Sequence, residues 1–105
     1  MEQRTKELLN LLIKLDKAYT ECSWDYERNC EYKHLDYAKK CSKLMSAIDK
    51  KQTSIWDEIS KQYNVSHMFK LPSEILDYYS DGCNNNNYDR FNNYERDLKF
   101  LGIQI

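Results

Sequence analysis

The chain has 105 residues, of which 41% are apolar and 31% charged, with a net charge of −1. That length fits one domain with a real core and no second one, spanning residues 1–105. The balanced charge gives no global pull toward nucleic acid or anionic membrane. Two Gly and one Pro are too few for an all-β fold, which needs turn residues every few positions. A negative mean hydropathy completes the picture of a soluble, all-α protein.

From Glu2 to Lys50 there is neither Gly nor Pro, and an apolar stripe recurs three and four residues apart: Leu8, Leu12, Leu15, Tyr19, Cys22 and Tyr26. After a slip of one position it resumes with Cys30, Tyr37, Cys41, Leu44 and Ile48. This is the spacing of helix against helix. Between Ser23 and His34 either one helix runs through the slip or it ends near Asn29 and turns back as a hairpin. Nothing in that interval forbids helix, and Asn29 is its only turn-prone residue. The expectation is therefore a single long helix over about 5–49, with the hairpin as the alternative. Leu12, Leu15 and Tyr19 are its expected buried residues.

Asp49 to Ser54 reads as the first break, with Ser54 as N-cap and Asp57 in the acidic position of a capping box. A short helix over about 54–64 then buries Ile55, Trp56, Ile59 and Tyr63 and stops at Asn64. Val65 to Leu71 is an apolar connector. Pro72 opens a further helix over about 72–80 that Gly82 terminates. Asn84 to Asn87 reads as a surface loop. The last predicted helix, about 88–101, lines up Tyr88, Phe91, Tyr94, Leu98 and Leu101, with Gly102 after its end. The fold expected is a small helical bundle: a long N-terminal helix or hairpin followed by three short helices.

No catalytic motif interrupts this pattern. Cys22, Cys30, Cys41 and Cys83 form no Cys-x-x-Cys pair, and buried free Cys behaves as a small hydrophobe. Cys30 and His34 are four apart, and Glu31 with His34 forms a Glu-x-x-His pair, but the second copy that a bundle di-metal site needs is missing. Cys30, His34, Cys41 and Cys83 remain a weak zinc alternative. No catalytic residue, metal or cofactor is expected, and the chain reads as a non-enzyme. The N-terminal apolar run is broken by Asn10 and Lys14 and resembles no export signal, so an intracellular, reducing location is expected. No run approaches a membrane span.

Two binding readings follow. A helix over about 5–49 would run roughly 65 Å, more than three short helices can cover. Its far half would leave Trp24, Tyr26, Tyr32, Leu35 and Tyr37 as an exposed patch of the kind that binds protein. The expected function is a protein-binding module, self-associating as a homodimer or coiled coil, that serves as an inhibitor, an antagonist or a small assembly subunit. The alternative is nucleic-acid binding. Ile55 to Ser66 resembles the first helix and turn of a helix-turn-helix, and Lys39, Lys40, Lys43, Lys50 and Lys51 form a basic patch. Against it, Pro72 leaves the following segment too short for a reading helix.

Overall fold

The apolar stripe of the first fifty residues folds back on itself. The computed structural model describes residues 1–84 together with Lys99. Among the described residues it is all-α: α1 (Gln3–Glu31), α2 (Leu35–Gln62), a three-residue 3-10 turn (Met68–Lys70) and α3 (Ser73–Asn84). The helix expected over 88–101 lies, but for Lys99, outside the described residues.

The turn corrects the expectation of one continuous helix. Lys33 takes a left-handed backbone conformation, φ 60°. It lets the His34 N–H reach back to the Asn29 carbonyl at 2.7 Å and its own N–H to that of Cys30 at 3.2 Å. Those two bonds are the Schellman termination, which satisfies the carbonyls that a helix end would otherwise leave unpaired. Asn29, the residue that sequence reasoning marked for a turn, is instead helical, its side-chain amide bonded to the Asp25 carbonyl at 2.7 Å.

The break expected at 49–54 is also absent, because α2 runs straight through it to Gln62. Thr53 turns its hydroxyl back onto the Asp49 carbonyl at 3.0 Å rather than capping anything. Ile48 and Ile55, both buried, are one heptad apart, so the core-facing line crosses the polar stretch unbroken. The expected end at Asn64 does hold. With φ 54°, Asn64 repeats the Schellman pattern, the Val65 N–H bonding the Ser60 carbonyl at 3.0 Å.

The chain then crosses over the 3-10 turn, buries Leu71 and enters α3, which lies along α1 in the same direction. The Tyr78 hydroxyl donates to Asn10 Oδ1 at 2.8 Å, and four residues on Gly82 meets Ile13. Gly82 does not end the helix as predicted; α3 continues to Asn84. Its role is close approach, since a Cβ there would run into the Ile13 side chain.

The core sits where three helices meet. Leu8, Leu9, Leu12 and Leu15 of α1 pack with Ile48, Ile55 and Ile59 of α2 and with Leu71 and Ile75. Arg4 and Glu58, whose side chains pair at 3.2 Å, tie the two long helices together at this end. Thr5 is buried with its hydroxyl on Gln62 Oε1. Trp56 is only half-buried, edge-on to Tyr79 with ring centroids 5.0 Å apart, and Tyr19 is 36% exposed. Both were expected to be nearly buried. Each lies on the flank of its helix, where one neighbour covers a ring only in part.

Candidate functional site at the free end of the hairpin

α3 stops short. Gly82 stands over Ile13, and Cys83 lies beside Asp16 and Lys17. Beyond that level α1 and α2 pair with each other toward the turn. What they bury changes accordingly. The buried residues here are Ala18, Cys22, Ala38, Cys41 and Leu44, four small and one large, where the other end buries mainly Leu and Ile. Among the described residues two helices enclose the narrow seam between them, so mostly small side chains fill it and the rings are left outside.

The large ones outside are the residues singled out from the sequence. Trp24 is 56% exposed, Tyr26 38%, Tyr32 69%, Leu35 60% and Tyr37 48%. Tyr32 and Leu35 bracket the turn, and Tyr26 and Tyr37 flank it on the two helices. The five do not share one face, however. Trp24 and Tyr26 are two residues apart, about 200° around a helix, so they look to nearly opposite sides. The aromatics ring the end of the hairpin, with no flat patch. Sequence reasoning missed Tyr19, which it placed in the core, and Phe69, 78% exposed in the crossover beside His67. A single aromatic in a connector carries no periodic signal by which to find it.

Charge at this end is divided by helix. On α1, from Tyr19 to the turn, four carboxylates (Glu21, Asp25, Glu27 and Glu31) stand against one guanidinium, Arg28, which pairs with Asp25. On the turn and the first half of α2, four ammonium groups (Lys33, Lys39, Lys40 and Lys43) stand against Asp36. Lys50 and Lys51 lie further along α2, so the basic patch of the sequence is a strip of one helix about 18 Å long. Lys39, Lys43 and Lys50, at spacings of four and seven, share its outer side.

The thiols of Cys22, Cys41 and Cys83 are held in the form least suited to chemistry. Burial pushes Cys22 up to about 12, with Cys41 and Asp25 adding to the effect. Cys41 is raised too, again first by burial. Burial also lifts Cys83 to about 11. Nucleophilic or metal-binding cysteines need the opposite shift. The exposed Tyr26 phenol is raised by its hydrogen bond with Cys30. Among the described residues no three His, Cys, Asp or Glu side chains gather as a metal site, so Cys30, His34, Cys41 and Cys83 are not brought together as zinc ligands. None of the described helices is long and apolar enough to cross a membrane. The helix-turn-helix resemblance does not survive as geometry. Ile55 to Gln62 is the last part of a 28-residue helix, and only the Met68–Lys70 turn follows it before α3.

No protein-family model, curated relative or solved structure matches the chain.

Proposed function

We propose that the chain is a non-enzymatic protein-binding module that works through the free end of the α1–α2 hairpin, as an inhibitor, an antagonist or a small subunit of an assembly. The observation that carries this reading is the inversion of size at that end. Four small residues and Leu44 fill the seam while Trp24, Tyr26, Tyr32, Leu35 and Tyr37 stand in water. Exposing rings gains nothing for folding, and Tyr and Trp are what binding hot spots are made of. The lysine strip of α2 would also suit a phosphate backbone, but the carboxylates of α1 at the same end oppose a polyanion, which favours a protein partner.

A photo-crosslinking residue tests this in the cells that make the protein. Placed at Tyr32 or Tyr37 it is expected to give discrete adducts with protein. Placed at Lys61, on the opposite end of α2, it is expected to give none. Equal labelling from all three positions, or none from any, would defeat the reading.

A further inference from the structure

The occupant of the hairpin end, on the reading just given, is decided by the division of charge. We infer that it is a second copy of this chain, docked about a two-fold axis that runs along the hairpin, with α1 of each copy over α2 of the other.

Pairing within one hairpin does not account for the division. Lys39 and Lys43 are each two residues from buried Cys41, about 200° around the helix, so both lie on the side of α2 turned away from the seam. Glu31 is nine residues from buried Cys22, about half a turn away, and Glu27 is five residues from it, about 140° away. These four exposed side chains therefore mark the outer edges of the hairpin, acidic along α1 and basic along α2. One copy's acidic edge is complementary to another copy's basic edge.

Closed dimers are isologous, with the same surface used twice. Two hairpins stacked face to face have two such arrangements. An axis across the hairpin lays α1 on α1 and α2 on α2, which sets carboxylate against carboxylate and ammonium against ammonium. An axis along the hairpin lays α1 on α2, so that Glu27 and Glu31 of each copy run beside Lys39 and Lys43 of the other. The second arrangement builds an antiparallel four-helix end, the usual way for two helical hairpins to bury their faces. Like charges reject the first arrangement and opposite charges select the second. Of the rings around the end, those on the docked side supply the apolar contact area.

Light scattering coupled to size exclusion tests the proposal on the purified chain. The wild type is expected to be a dimer that weakens as salt rises. Two charge-reversed variants, Glu27→Lys with Glu31→Lys and Lys39→Glu with Lys43→Glu, are each expected to dissociate on the order of tenfold or more readily. Mixed in equal amounts, they are expected to recover a heterodimer, which a loss of folding could not imitate. A spin label at Lys61 reads the axis. The two labels lie at the same end of the dimer if the axis runs along the hairpin and at opposite ends if it runs across. A wild-type monomer at the highest soluble concentration, a mixture that stays monomeric, or labels at opposite ends would each overturn the proposal. So would crosslinks from Tyr32 and Tyr37 that reach only residues 85–105 of the same molecule. Discrete crosslinks to a different protein, with the purified chain monomeric, would overturn the second copy and leave the protein-binding reading standing.

Discussion

The same two helices are packed under two regimes. At the end where α3 joins them, Leu9, Leu12, Leu15 and Ile59 are wholly buried and the rings are partly covered. At the turn end the seam holds Ala18, Cys22, Ala38 and Cys41 with Leu44 as its one large residue, and the rings are outside. Both halves are helical throughout, and among the described residues the difference between them lies in the third layer, α3. A helix pair encloses a line, whereas three helices enclose a volume, and only a volume accepts Leu and Ile from every side. Stability therefore belongs to one end, and the surface open to a partner belongs to the other.

The largest test of that division is truncation in the seam at each end. Leu12→Ala is expected to cost about 3 kcal/mol, the lost transfer energy plus the cavity left in a three-sided site. Cys22→Ala removes one sulfur from a two-sided seam and is expected to cost about 1 kcal/mol. Denaturant unfolding reads both, and equal losses would break the comparison.

Alkali gives a second, smaller test. Cys22 is raised to about 12 in the fold against an ordinary value of 9.0. Below pH 9 the thiol is protonated in both states and contributes no slope. Between about 9 and 12 only the unfolded chain releases the proton, so stability falls as pH rises, by up to about 1.4 kcal/mol per pH unit. Cys83, raised to about 11, adds to the same fall. Thermal melts from pH 8 to 11 are expected to drop steeply in the wild type and less steeply in Cys22→Ala. Parallel curves would show that the seam near the turn is wet.

The smallest test concerns the turn itself. Lys33 holds φ 60° with a side chain that disfavours it. Lys33→Gly is expected to stabilise the protein by about 0.5–1 kcal/mol, less the entropy that glycine adds to the unfolded chain. A loss of stability on chemical denaturation would mean that the Lys33 side chain has a role of its own in the turn.

That turn also shows where the sequence stops being legible. α2 and α1 end in the same bonded motif, once with Asn64 and once with Lys33 in the left-handed position. Asn favours that conformation, so the first end was readable; Lys does not, so the second was invisible. The false break at 49–54 failed for another reason. Polar residues there sit on the wet face of a helix whose dry face, Ile48 then Ile55, was in plain view. The leucine stripe of α1 and the burial of Ile59 read correctly, because periodicity reports which face is dry. The five site residues read correctly as exposed, but on the wrong premise. They were expected on the overhang of a long rod, and they are exposed at the turn end of a folded hairpin, beyond the described part of α3. Which rings share a side depends on rotation about the helix, and there Trp24 and Tyr26 part company.

The hydrogen bonds and ion pairs of the core end join residues far apart in the chain: Arg4 with Glu58, Thr5 with Gln62, and Asn10 with Tyr78, at separations of 54, 57 and 68 residues. A hairpin closing from its turn meets its cheapest contacts first, since short loops cost little entropy. Here those first contacts are the poorest in buried area. The rewarding contacts wait until the whole loop has closed. Folding must therefore reach the far end before it is stable, a slower route than local contacts alone would give. In the finished protein the order reverses. The turn end can open and reclose in local fluctuations while the core end stays shut, and hydrogen exchange should be fast around Tyr26 to Tyr37 and slow around Leu12 and Ile59.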